Sequence, residues 1–193
     1  MARAREFSED DVLEASMNAF WLRGYEATSI TDLENATGIA RGSIYKAFGD
    51  KRQLFLLSLN RYLSGTKKQF KKILDSDGDT IAALLNSFEA AQAADAASGS
   101  RGCFAMNSGI ELACEDEDVG KLLHFHQSYL LRHMTDRIRR GQADGEVRTD
   151  VDPQTATLML LIFHTGISAS AWQAVDPAAI SETTSKLLAL LSP

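Results

Sequence analysis

The chain has 193 residues, 45% hydrophobic and 24% charged, with a formal charge of −6. That length is ample for a sizeable core, and that composition excludes global disorder, a disulfide scaffold and a chain-wide basic coat for nucleic acid. Met1–Asp10 is charged and has no apolar signal segment, and the longest apolar stretch, Leu158–Phe163, falls far short of the ~20 residues of a membrane span. The expectation is a protein of the reducing cytoplasm with no membrane partner.

Helical spacing runs through nearly the whole chain. Ser8 opens a first helix as N-cap, Val12, Leu13, Ala15, Met17, Ala19, Phe20 and Leu22 recur along it, and Gly24 closes it. Thr28–Ser29 opens a short second helix with Asp32 at its third position, Ile30, Leu33 and Ala36 facing inward, and Gly38 ending it. A third short helix covers about Ala40 to Phe48. Asp50 caps a long fourth, 50–74, which ends in the basic run Lys67–Lys72. Further helices are predicted over about Asp79–Ala97, from Cys103 to the acidic turn Glu115–Asp118, and over Val119–Gly141. Asp152-Pro153 and Asp176-Pro177 each place an N-cap acid before a proline at the first helical position, which opens Gln154–Ala174 and Ala178–Leu191. No run alternates as a strand, so the fold class is all-α with about nine helices. Ser98–Gly102 is the clearest loop, and Ala90–Ala97 is alanine-rich.

Charge changes sign over a short distance. Glu6–Glu34 holds eight acids against Arg23, whereas Gly38–Arg61 holds Arg41, Lys46, Lys51, Arg52 and Arg61 against Asp50. An acidic chain can thus present one cationic face to a polyanion. Within that region Thr28–Phe55 reads as a short helix, a turn at Gly38-Ile39 and a second short helix. This is the spacing of a helix-turn-helix, whose second helix enters the DNA major groove. Ala36, Ile39 and Ile44 can pack the two helices together. Arg41, Gly42, Ser43, Tyr45 and Lys46 then occupy outer positions suited to base edges and phosphates.

These residues resemble the TetR (tetracycline repressor-like) family of bacterial regulators. The matches are Gly24-Tyr25-Glu26-Ala27-Thr28-Ser29, Ile30, Leu33, Gly38-Ile39, Gly42-Ser43-Ile44-Tyr45, Phe48, Lys51 and Leu54. Glu34 stands where the family often has alanine, and Asp50 where it has Ser or Thr. The motif covers about the first 60 residues; the rest agrees in length and helical layout. The resemblance implies a DNA-binding domain over 1–50, a ligand-binding and dimerisation domain over 51–193, and a Tyr45 hydroxyl that reaches a phosphate. Lys51 is expected on a phosphate, and Thr31 is a weaker base-contact candidate. Thr28 and Ser29 act as caps, as phosphate contacts at a helix start, or as both. The expected partner is double-stranded operator DNA.

The resemblance also implies a small-molecule cavity among the middle helices and a homodimer through the last two. Independently, Gln154–Ala174 is apolar nearly all round (Leu158, Met159, Leu161, Ile162, Phe163, Ile167, Trp172) and carries Gly166, Ser168, Ala169 and Ser170, which suits a two-fold helix bundle; burial within one protomer is the other solution. Phe88, Cys103, Phe104, Asn107, Ile110, His126, Tyr129 and Trp172 are the candidate lining. Cys103 follows a glycine-rich loop at a helix start with Arg101 nearby, a setting that favours thiolate. Gly102-Cys103 and Asn107 resemble a G-C-x-x-x-N signature of some such regulators whose cysteine responds to electrophiles or oxidants. An inert core thiol is the plain alternative. His126 lies on the stripe Val119, Leu123, Leu130, Met134 and Ile138, either as a satisfied core histidine or as a polar group of a pocket.

No metal-ligand spacing, phosphate loop or nucleophile elbow occurs, so no cofactor, metal or catalytic residue is expected. The function expected is a sequence-specific DNA-binding regulator, a repressor released by a small-molecule or electrophile effector. The alternatives are a helical protein-binding adaptor and a cysteine-dependent enzyme, and neither explains the helix-turn-helix.

Overall fold

The computed structural model describes residues 8–99, 101–169 and 175–193. Among them lie nine helices and no strand: α1 (Glu9–Arg23), α2 (Ile30–Thr37), α3 (Arg41–Phe48), α4 (Lys51–Leu74), α5 (Thr80–Ala97), α6 (Phe104–Leu112), α7 (Glu117–Ala143), α8 (Pro153–Ala169) and α9 (Pro177–Ala189). Local chemistry sets most of the boundaries. Side chains of Ser8, Asp50, Asp79, Asp116 and Asp176 accept first-turn N–H groups of α1, α4, α5, α7 and α9, donors that a helix start otherwise leaves unpaired. Ser29 and Asp32 complete a reciprocal capping box on α2. Gly38, at φ +70°, closes α2 in the left-handed region and turns the chain into α3.

Two apolar cores result. The first joins α1, α2, α3 and the first half of α4 around Phe20, Leu33, Ile44, Leu54, Phe55 and Leu59, and it runs on into Phe104 and Leu112 of α6 and Val119 of α7. Edge-to-face aromatic pairs mark that continuity, with centroids 5.2 Å apart for Phe20–Phe55 and 5.9 Å for Phe55–Phe104. The N-terminal head of α1–α3 is therefore seated on α6. The second core gathers Leu74, Leu84, Phe88, Met134, Ile138, Leu160 and Leu188 from α4, α5, α7, α8 and α9. The long α4 contributes to both.

Some expectations fail on packing. Ala36 and Leu22 face solvent, because the core between the helices of the head is filled by Phe20, Leu33, Ile44 and Phe48, with Ile30 and Ile39 packed against them. Within one protomer α8 buries Ala156, Thr157, Leu160 and Leu161 but leaves Leu158, Met159 and Ile162 exposed. The expected Ser170 and Trp172 lie outside the described residues.

Candidate nucleic-acid interface and effector cavity

The reading head is held rigid across its turn. Leu33 of α2 and Ile44 of α3 are fully buried against each other's layer, and the Glu34 carboxylate accepts the Arg41 backbone N–H at 2.6 Å. Ala40, at the N-cap of α3, supplies no side-chain cap, so Glu34 fills that role from the preceding helix. The departure from the alanine of the family motif therefore has a local purpose that sequence reasoning missed.

On the outer face, Thr31, Arg41, Gly42 and Lys46 are exposed, and Ser43 and Tyr45 are half-buried. The Arg41 guanidinium lies 5.1 Å from the Tyr45 ring centroid. Lys51 Nζ sits 4.3 Å from the Tyr25 centroid and donates to the Glu26 carbonyl at 3.4 Å. Two of the five bases counted toward the cationic face are spent internally. Arg52 pairs with Asp116 and Asp118, each at 2.7 Å, and Arg61 with Asp10 at 2.8 Å and Glu14 at 3.1 Å. Hydrogen bonding from Arg52 lowers the Asp116 pKa and raises that of Arg52 in turn. The acidic turn before α7 is thus a socket for Arg52 rather than a merely solvated loop. Arg41, Lys46 and Lys51 remain on the outer face.

Thr28 is a correction. Its side chain is fully buried and its hydroxyl donates to the Gly24 carbonyl at 2.6 Å, so it secures the α1–α2 turn and has no hydroxyl left for a surface ligand. Ser29 is exposed, but its hydroxyl donates to Asp32 Oδ2 at 2.6 Å and accepts the Asp32 N–H at 3.1 Å. The bond from Ser29, then the nearby Arg23, lowers the Asp32 pKa.

Three contacts clasp the head to the segment around α6. Glu111 accepts the N–H groups of Tyr25 and Glu26, each at 2.9 Å. Trp21 Nε1 donates to the Gly102 carbonyl at 3.0 Å. Arg101 donates to the Asn18 carbonyl at 3.2 Å and to its Oδ1 at 3.1 Å, and stacks on the Trp21 ring at 4.4 Å. Arg101 is thereby pinned to α1, contrary to the expectation that its charge serves Cys103.

Behind α6 lies a cavity of about 1380 Å³, walled by α1, α4, α5, α7, α8 and the segment from Arg101 to Met106. Of the candidate lining residues, Phe88, Cys103 and His126 face it. Cys103 is the N-cap residue of α6 and accepts a hydrogen bond from the Tyr62 hydroxyl at 3.6 Å. Burial, and Cys103 beside it, raise the Tyr62 pKa. His126 is 7% exposed and its Nδ1 is buried without a partner among the described residues. Burial, then the charge of Lys67, push its pKa down to about 4. His164 also lines the cavity, with its ring edge-on to Phe88 at 5.5 Å.

The other candidates belong elsewhere. Phe104 is spent in the head core, and the Asn107 amide donates to the Arg101 carbonyl at 3.0 Å, which fixes the loop. Ile110 is 79% exposed, one helical face away from the cavity. Tyr129 lies on the outer surface between Lys67 and Arg132, against His133. Trp172 falls outside the described residues. Sequence reasoning missed Glu111, Asn18 and the lining stripe Ala90, Ala91, Ala94 and Ala97, and it counted Arg52 toward the cationic face; only the stripe had a local signal, its alanine content. Among the described residues no cluster of three or more His, Cys, Asp or Glu could hold a metal ion, and no helix is long and apolar enough to cross a membrane.

A short helix, a glycine turn and an outward cationic helix, set on an all-helical body with an internal cavity, define a DNA-binding transcriptional regulator of the helix-turn-helix class. The sequence model of "Bacterial regulatory proteins, tetR family" matches residues 12–57, and that of the "Tetracyclin repressor-like, C-terminal domain" matches residues 79–186. The chain belongs to the TetR family, whose members are dimers. It is 30% identical to the uncharacterized HTH-type transcriptional regulator YezE of Bacillus subtilis, over 76% of each chain. It is 29% identical to the HTH-type transcriptional repressor ComR of Escherichia coli, over 88% of this chain and 81% of that one. The fold also matches a cysteine mutant of the TetR-family regulator CifR bound to 26-bp operator DNA. There the TM-score is 0.87 at 27% identity, covering 98% of this chain and all of the other.

Proposed function

We propose that the protein is a cytoplasmic repressor, not an enzyme, and that a small molecule in the cavity behind α6 releases it from its operator. Residues 1–50 read DNA, and 51–193 sense and dimerise. Arg41, Gly42, Ser43, Tyr45 and Lys46 meet the major groove with Thr31 at its edge, and Lys51 and the α2 start at Ser29 meet phosphates. Two copies associate through α8 and α9, which brings the exposed Leu158, Met159 and Ile162 together. The observation that carries the reading is the continuity of α6: its first turn lines the cavity, and Glu111 near its far end holds the α1–α2 turn of the head.

The test is operator binding by the full-length protein, on a site selected from random duplex DNA, across a salt series. Arg41→Ala should weaken binding and relax sequence preference. Lys51→Ala should weaken all DNA about equally and lower the salt slope by about one. Unchanged binding by both variants would remove α3 from the groove.

A second reading concerns the effector's chemistry and rests on Cys103 lining the cavity beside Tyr62. A thiol-reactive effector would add to Sγ at the start of α6 and displace that helix. N-ethylmaleimide should then release wild-type protein from DNA but not Cys103→Ser, which should still bind. An adduct at Cys103 that leaves operator affinity unchanged refutes this reading.

A further inference from the structure

The cavity does not present its polar groups evenly. Of the charged side chains that line it, Arg61 pairs with Asp10 and Glu14, Arg101 with Asn18 and the Ser98 carbonyl, and Asp95 accepts the Gly102 N–H at 2.7 Å. Lys68 is exposed to solvent. The buried part of the wall is mainly apolar, with Phe88, Met134 and Leu161 and the alanine stripe of α5; of its other polar groups, the Ser87 hydroxyl donates to the Leu84 carbonyl at 2.6 Å, the Tyr62 hydroxyl donates to Cys103, and the His164 ring packs edge-on against Phe88. His126 faces the same space, more than nine-tenths buried, and its Nδ1 has no partner among the described residues. A buried polar atom without a partner is an exception that calls for a cause.

We propose that the effector is an uncharged, mainly apolar molecule carrying a hydroxyl group that hydrogen-bonds the His126 imidazole. This rests on the reading of the cavity as the effector site. A neutral imidazole offers one donor and one acceptor nitrogen, and a hydroxyl both donates and accepts, so it matches either tautomer. The ring is neutral near pH 7, because burial and the Lys67 charge hold its pKa at about 4. A carboxylate would carry its charge against the apolar wall of Phe88, Met134 and Leu161, while Lys68 stays at the solvent side and Lys67 lies over the Tyr129 ring on the outer surface. A hydrocarbon would fill the space and leave the imidazole unpaired.

The test uses three probes of like shape, 4-butylphenol, butylbenzene and 4-butylbenzoate, titrated calorimetrically into the full-length wild-type dimer. The phenol should bind roughly tenfold or more tighter than butylbenzene, the preference expected from pairing one buried polar group, and the benzoate should bind weakest. His126→Phe, which keeps a ring of similar size, should abolish the advantage of the phenol and leave butylbenzene unchanged. The wild-type series decides the matter even if that variant folds poorly. Equal affinity for phenol and butylbenzene, tightest binding by the benzoate, or no binding by any probe overturns the proposal. A phenol preference that disappears in His126→Phe, without any loosening of the operator complex by the phenol, supports recognition by His126. It refutes instead the reading of this cavity as the effector site.

Discussion

Glu111 offers the sharpest test of how the head is held. Its two carboxylate oxygens each accept one backbone N–H, from Tyr25 and from Glu26, at 2.9 Å. Gly24, at φ +83°, leaves the space: a Cβ there would come within 2.9 Å of Glu111 Oε2. Hydrogen bonds to a charged group contribute about 1.5–3 kcal/mol each when shielded. These two are partly open to water, which would resolvate the freed N–H groups, so Glu111→Ala should lose about 1–3 kcal/mol in total. Glu111→Gln discriminates better. A glutamine can accept from one N–H, but it must turn its amide N–H₂ toward the other, donor against donor. It should therefore be no better than alanine, although it keeps size and polarity. Urea denaturation gives the stability change, and operator titration gives the second readout. If the clasp positions the head, operator affinity falls by about tenfold for each 1.4 kcal/mol of positioning lost. Glu111→Gln that matches wild type in both assays would refute the clasp.

Two further outcomes follow from burial. Ile162 is 63% exposed in one protomer, so Ile162→Asp should shift sedimentation from dimer to monomer at micromolar concentration and lower the thermal midpoint only by the stabilisation that association supplies; a variant that stays dimeric places the interface elsewhere. His126 has a folded-state pKa of about 4, below the ordinary 6.5, so between those values the unfolded chain binds a proton that the folded chain refuses. Stability therefore falls as pH drops through that window, by at most about 3 kcal/mol for this residue. His126→Phe should flatten that fall in denaturation midpoints measured at a series of pH values, with His133 and His164, whose pKa values burial lowers as well, keeping part of it. An equally steep fall in the variant would show that His126 does not titrate as a buried neutral ring.

Much of the architecture is legible because it is written locally. Ser8, Ser29, Asp50, Asp79 and Asp176 announce helix starts within three residues of the N–H groups they accept, and Gly38 marks the turn through its own backbone preference. The outer face of α3 is legible for the same reason, since helical spacing alone separates Arg41 and Lys46 from Ile44 and Phe48. What stays hidden depends on partners far along the chain. Arg52 looks like a cation for DNA until Asp116 and Asp118, more than sixty residues later, enclose it. Arg101 looks like a neighbour of Cys103 until Asn18 takes it. Ile110 and Tyr129 have the composition of pocket residues, but which helical face meets the cavity is decided by how α6 and α7 pack. Thr28 fits the motif, yet its hydroxyl serves the Gly24 carbonyl.

The wall formed by Ala90, Ala91, Ala94 and Ala97 has a consequence for how such a regulator changes over time. Where α5 lines the cavity, four of its side chains stop at Cβ. Ala90, Ala91 and Ala94 lie outside the second core, which draws on Leu84 and Phe88 of the same helix for its packing. Replacing any of these alanines by valine or leucine would therefore reshape the chamber by a few carbon atoms without opening a void or forcing a clash in the core. For the proposed effector cavity, ligand preference can drift there one substitution at a time while the fold, the clasp at Glu111 and the outer face of α3 stay as they are.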